Sequence, residues 1–418
     1  MMTNGFNKAY PQTFEHGLSI NAVNRFIETL KQSFLAFSFD LGGLLAGSIL
    51  LFFMNVFSYA PWIIIIYPSI ISMRGVIGGL FSGKLSTSLH LGTVKPSFLN
   101  NTTTFLLLVC STVILTIESS LMMGALACFV NIFLWGAHLA ESLDILSAIM
   151  TTMGLSLLFV SPVTIEISIL SFKRGLDPDI IVYPIMSTLG DILVTLCFVF
   201  SLKLLFSGFL GSLIAWIFDI AFAFITMLLL AKYRKTEQFT RTLREFSLTL
   251  LIVTLIVNLT GNLLGKISRV VGRRPEIYIL YPALIDTIGD VGSVVGSTTT
   301  TKLALGLVGL SFKDIRKSLP EMGGACLSST AWFLLFSVIS LYLTHKLIVL
   351  NNLIRLALLL LILSVLAASA ISVISYTLAV VTFKNGLDPD NFVIPCESSL
   401  SDSITTAFLL LVIYLFKY

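Results

Sequence analysis

Apolar runs long enough to cross a bilayer recur along the whole chain, separated by short polar segments. A helical crossing takes about 20 mostly apolar residues. By that measure eleven segments qualify: 38–60, 62–92, 102–132, 145–172, 180–206, 208–231, 247–265, 276–306, 322–345, 353–382 and 391–416. Several exceed one straight crossing, and 62–92 and 276–306 also hold Pro, Gly or Thr clusters. Those two are expected to be broken or re-entrant, which is tolerated only where the backbone is buried in protein or lines a cavity. The segments leading into the first and seventh spans read as amphipathic helices at the membrane interface. The polar first 17 residues contain no signal-peptide apolar core, so no cleavage is expected.

The pattern repeats. FKRGLDPDIIVYPIMSTLGDILVT (172–195) answers FKNGLDPDNFVIPCESSLSDSITT (383–406) at an offset of 211, aligning Pro184 with Pro395, Ser187 with Ser398, Asp191 with Asp402 and Thr195 with Thr406. Upstream, YPSIISMRGVIGGLFSGKLSTSLHLG (67–92) answers YPALIDTIGDVGSVVGSTTTTKLALG (281–306) at an offset of 214. The leading segments match too, with Phe26, Thr29, Leu30 and Lys31 opposite Phe239, Thr242, Leu243 and Arg244. Three colinear matches make the chain a duplication. Each half carries five spans, and an odd number would invert the second half, but the extra span at 208–231 restores its sense. The expected fold is therefore an all-α polytopic membrane protein: two parallel, pseudo-symmetric five-helix repeats, 1–207 and 232–418, joined by one linking helix, 208–231.

Composition agrees with a membrane chain. Of 418 residues, 56% are hydrophobic and 11% charged, against about 25% charged in soluble domains. A cytosolic enzyme, a disordered chain and a nucleic-acid binder are excluded on that ground. The net charge of +4 comes mostly from loops and bears on topology. Placing the N-terminus inside puts nearly twice as many Lys and Arg on the inner segments as on the outer. This favours a cytoplasmic N-terminus and an extracytoplasmic C-terminus in a multi-pass plasma-membrane protein. Five cysteines lie in apolar runs without metal-ligand spacing and read as small core residues.

Ionisable residues within spans are costly and mark candidate chemistry. Asp40, Glu118, Glu166, Asp191, Asp219, Asp286, Asp290, Glu397 and Asp402 qualify. Asp191 and Asp402 stand out because both halves keep them, about two turns beyond a proline and among hydroxyls such as Ser187, Ser398, Thr195 and Thr406. Carboxylates, hydroxyls and carbonyls without nearby His or Cys form a hard-oxygen environment suited to Mg²⁺, Ca²⁺ or Mn²⁺. Asp286 and Asp290 share a helical face at i, i+4, where the first half has Ser72 and Val76 and adds Arg74 and Lys84. Arg74 is expected to pair with a nearby acid. Asp40, Glu118, Glu166 and Asp219 have packing or helix-end roles as an equal alternative. In the GLDPD loops, Asp177 and Asp388 read as N-caps, with Asp179 and Asp390 in the first turn; a regulatory cation site there is the lesser alternative. The four histidines are dispersed.

The string GLDPD–x₄–P–x₂–(S/T)–x₃–D resembles the fifth transmembrane helix of MgtE-type magnesium transporters, and the duplication resembles their two-repeat solute-carrier relatives. The likeness covers nearly the whole chain. Those relatives carry Pro, about six residues, Gly–Asn and then Arg–Leu–Ser–Thr in the second span; here the positions read Pro68, Gly75-Val76 and Lys84-Leu85-Ser86-Thr87. The resemblance implies that Asp191 and Asp402 lie in an ion pathway lined by Gly75 and its counterpart Gly289. The family asparagine is replaced by Val76 in one half and Asp290 in the other, and the second half reads Thr299-Thr300-Thr301-Lys302. With about 35 residues before the first span, a large cytoplasmic magnesium-sensing region of the bacterial type is not expected.

The resulting expectation is transport of a divalent cation, Mg²⁺ foremost, along an axial pathway between the repeats. Asp191, Asp402, Asp290 and Asp286 would bind the ion, with Gly75, Gly289, Glu397 and Arg74 along the path. Exchange against Na⁺ or H⁺, using Asp286, Glu397 or Glu166, is the alternative mode. No P-loop is present, so ATP is not an expected partner. An intramembrane aspartyl protease is the remote alternative: Thr188-Leu-Gly-Asp191 and Thr287-Ile-Gly-Asp290 resemble a Gly–x–Gly–Asp signature, but the first Gly is missing and the helices are non-equivalent. A scaffold or receptor would leave the axial acids without purpose. One chain supplies both pseudo-symmetric halves, so a monomer suffices, with a homodimer as the alternative.

Overall fold

The computed structural model describes residues 22–53, 55–56, 59–135, 141–174, 178–271, 274–304, 306–345, 349–385 and 389–416, and every regular element among them is helical. The first half begins with α1 (Ala22–Ala36), a 3₁₀ turn (Phe37–Asp40) and α2 (Leu41–Phe52). It continues through α3 (Trp62–His90), α4 (Thr103–Trp135), α5 (Glu141–Lys173) and α6 (Pro178–Leu205). Helix α7 (Phe209–Tyr233) links to the second half: α8 (Glu237–Val271), α9 (Pro275–Ala304), α10 (Leu319–His345), α11 (Leu350–Lys384) and α12 (Pro389–Phe416). Counting α1 and α2 as one near-continuous rod, eleven helices among the described residues are long and apolar enough to cross a membrane. Proline opens α6, α9 and α12 at the first helical position, where its missing N–H leaves no bond unmade.

One expectation is corrected. Helices α3 and α9 are unbroken despite internal Pro68 and Pro282. Each proline-weakened stretch is covered by a glycine-bearing helix from the opposite half. Gly43 of α2 lies on Ala283, so close that a Cβ there would sit 2.6 Å from its nitrogen, and Gly47 lies on the Ile279 carbonyl. Gly261 of α8 lies on the Ile65 carbonyl in the same way. The prolines are accommodated inside protein rather than by breaking the helix.

The leading segments pack against neighbouring helices. Helix α1 docks on α10: Trp332 Nε1 donates to the Phe34 carbonyl at 2.8 Å, Ser328 to the Leu30 carbonyl at 2.9 Å, and Arg25 meets Glu321 at 3.3 Å. In the second half, leading segment and span form the single helix α8, whose Phe239 packs into α4 beside Leu107, Cys110 and Ile114.

The halves therefore interlock. One hydrophobic core joins α9–α12 with Phe37 and Leu44 of the first half; the other joins α3–α6 with Phe246, Leu250, Val253 and Val257 of α8. Helix α7 stands at the side, most of its large apolar residues exposed. Its buried Asp219 accepts hydrogen bonds from Ser147 (2.6 Å) and Thr151 (2.9 Å) of α5, which tie α7 to the bundle.

Candidate cation site between the halves

Helices α3, α5 and α6 of the first half and α9 and α12 of the second surround a cavity of about 80 Å³. At about 10–15 Å³ per water it has room for several. Asp191, Asp286, Asp290 and Asp402 all line it, together with Ser187 and Ser398, Gly75 and Gly289. These residues, drawn from four helices and both halves, thus meet in one place.

Their pairing follows the repeat. Asp191 of α6 comes within hydrogen-bonding reach of Asp286 of α9. Its counterpart Asp402 of α12 accepts a hydrogen bond from Ser72 of α3, and Ser72 is the counterpart of Asp286. The last helix of each half thus meets the second helix of the other, once as acid–acid and once as acid–hydroxyl. One buried oxygen of Asp191 and one of Asp286 find no hydrogen-bond donor. Carboxylates this close repel unless a proton or cation lies between them.

Two further acids surround the four. Asp40, in the 3₁₀ turn after α1, is buried, accepts from Thr287 at 2.6 Å and lies within electrostatic reach of Asp290 and Asp191. Its turn is held in place where Thr188 of α6 donates to the Phe39 carbonyl at 2.7 Å. Sequence left Asp40 equally as packing, because only the tertiary fold carries it to α9. Glu397 is 1% exposed, with Asp290 and Asp402 as its electrostatic neighbours and one oxygen without a donor. It stands behind the cavity wall, against Gly292, rather than lining it.

Some candidates have other places. Thr195 and Thr406 lie outside the lining; each donates to the backbone carbonyl of its own aspartate at 2.6 Å and shares a hydrogen bond with a tyrosine, Tyr67 at 3.0 Å and Tyr281 at 2.9 Å. The aligned Tyr-Pro pairs of the repeat were the available signal for these anchors. Arg74 lines the cavity but forms no ion pair with an acid among the described residues, contrary to expectation; its Nη2 donates to Ser161 of α5 at 3.1 Å. Its hydrogen bond thus runs to helix α5 of its own half. Lys84 lies over the Phe246 ring at 4.3 Å, outside the lining. Glu118 is half-buried and Glu166 exposed. Asp177 and Asp388 lie outside the described residues. Asp179 and Asp390 fall in the first turns of α6 and α12, in agreement with a helix-start position.

Among the described residues no three His, Cys, Asp or Glu side chains converge into a ready metal cage. The acids are instead spread around a space wide enough for water.

No curated protein and no solved structure matches the chain. One family does: MgtE, described as a divalent cation transporter, matches residues 67–202 and again 281–412, well over half of the chain. Both matches begin at the aligned tyrosines and take in the helices that surround the cavity. A duplicated bundle of eleven potential membrane-crossing helices, matched once in each half, is thus a member of the MgtE family of divalent cation transporters.

Proposed function

We propose that the cavity between α3, α5, α6, α9 and α12 is the passage for the transported ion, and that the ion is Mg²⁺. The observation that carries this reading is the Asp191–Asp286 pair: the two carboxyl groups come within hydrogen-bonding reach of each other, one buried oxygen of each has no donor, and such a pair calls for positive charge. Mg²⁺ gives up water reluctantly and uses one or two carboxylates through retained waters. Spread acids around a water-sized space suit that ion better than a bare-ion cage would. Ser187 of α6 and Ser398 of α12 supply neutral oxygens, while Asp290 and Asp402 add charge along the way. The membrane potential contributes about 2.3 kcal/mol per charge per 100 mV, enough to draw a divalent cation inward unaided.

A second mode is favoured by the same pair. A proton can replace the metal ion between Asp191 and Asp286, which would couple metal movement to H⁺; Na⁺ could balance the charge likewise. The pair also has the closeness an aspartyl dyad requires, but family membership fits transport rather than catalysis. The plasma membrane and a cytoplasmic N-terminus are part of this reading, supported by the charge asymmetry of the loops.

The deciding experiment is Mg²⁺ flux into proteoliposomes, with and without Na⁺ or pH gradients. Asp191→Asn, Asp286→Asn and Asp402→Asn are each expected to lower flux by about tenfold or more, the loss of one strong charge contact. Wild-type flux in all three would overturn the cavity as the passage. Flux that ignores both gradients supports a channel or uniporter, and flux that follows one of them identifies the coupling ion.

A further inference from the structure

Arg74 is the cavity's remaining charged group, and its surroundings do not balance it. It is 3% exposed, and neither Nε nor Nη1 has a hydrogen-bond partner. Its one hydrogen bond among the described residues goes to the neutral Ser161 hydroxyl. Burying a guanidinium without a counter-charge is strongly unfavourable. Across the same cavity, Asp191 and Asp286 keep oxygens that are equally without donors. A lone cation and a carboxylate pair thus share one low-dielectric space and are held apart.

The cavity has open space beside three of its glycines. Positions next to Gly75, Gly78 and Gly190, all in the lining, have no neighbouring atom within 4 Å of where a Cβ would sit. A long, flexible side chain anchored one residue before Gly75 can move through that gap. The second half has Ile288 at the equivalent position, so the cavity contains this positive charge once.

We propose that Arg74 is a tethered cation that competes with the transported ion for the Asp191–Asp286 pair. This rests on the cavity being the passage. With the metal ion between the carboxylates, repulsion holds the guanidinium back on Ser161. As the ion leaves, the guanidinium swings across and its planar fork bridges the two carboxylates. The acids are then never left mutually exposed, and the departing ion is replaced rather than pulled away from bare charge. Arg74 lowers affinity for the ion and speeds its release.

The test is Mg²⁺ flux by the full chain in proteoliposomes, read as apparent KM and maximal rate separately. Arg74→Gln is expected to lower KM by about tenfold, on the scale of a modest coupling free energy, and to lower the maximal rate. Arg74→Lys, which keeps the charge without the fork, is expected to fall between. Ser161→Ala, which removes the resting contact, is expected to raise KM. It also decides the matter if Arg74→Gln does not fold. In Arg74→Ala, millimolar guanidinium ion is expected to raise KM back towards the wild-type value. An unchanged or raised KM in folded Arg74→Gln, or an unchanged KM in Ser161→Ala, overturns the proposal. Failure of the passage itself is recognised separately, by normal flux in Asp191→Asn and Asp286→Asn.

Discussion

Tyr67 and Tyr281 each reach from the second helix of a half to a threonine on its last helix, one turn from the axial aspartate. Both rings are almost fully buried and both threonines bond the aspartate's own carbonyl. Side-chain hydrogen bonds within membranes average about 0.6 kcal/mol and reach about 1.7. Tyr67→Phe and Tyr281→Phe are therefore each expected to cost about 1 kcal/mol, seen as a lower melting temperature in detergent. Because partner and geometry match, the two losses should agree; clearly different losses would break the equivalence of the halves. Asp219 offers the opposite contrast. Its two hydroxyl donors already satisfy it, so Asp219→Asn is expected to lower the melting temperature while leaving Mg²⁺ flux near wild type. Flux lost to the extent expected for Asp402→Asn would move Asp219 into the passage. Hydropathy alone does not separate these acids, since an intramembrane aspartate has the same signature whether its partner is a hydroxyl or an ion; only the duplication set Asp402 apart from Asp219 in the sequence.

At the scale of helices, small residues decide how closely the two halves approach. Gly47 and Gly261 are equivalent in the repeat, and each lies against a carbonyl of the other half's second helix. A larger side chain would push α2 off α9, or α8 off α3. Overpacking of this kind costs about 1–3 kcal/mol, so Gly47→Leu and Gly261→Leu are expected to lower thermal stability and yield of monodisperse protein. Gly75 and Gly78 have free space beside them. Gly78→Ala should thus fold as wild type and act only by narrowing the cavity, with reduced flux at unchanged melting temperature. The number and approximate limits of the helices were legible because each is a run of apolar residues closed by charge, proline or glycine. The continuity of α3 and α9 was not. Proline and glycine in one segment suggest a break, and only the covering helix from the other half, more than 180 residues away, removes the reason for one.

For the molecule as a whole, the interlock makes each half incomplete. Each core needs a helix from the other half, and both carboxylate contacts across the cavity join opposite halves. A chain cut between Tyr233 and Glu237, outside every helix, is expected to transport when both pieces are co-expressed and not when either is alone. Flux from a single piece would refute the interlock as a requirement. The axial aspartates could be found in the sequence because duplication printed them twice. Their partners could not: the pairing of Asp191 with Asp286 joins a position kept in both halves to one that differs between them, and Asp40 arrives from a turn with no counterpart acid. At the symmetry axis of a true homodimer every change is made twice, so charge can be adjusted only in steps of two. Covalent fusion removes that restriction, and with Asp286 facing Asp191 while Ser72 faces Asp402, the cavity can hold an odd number of charges and be tuned one at a time.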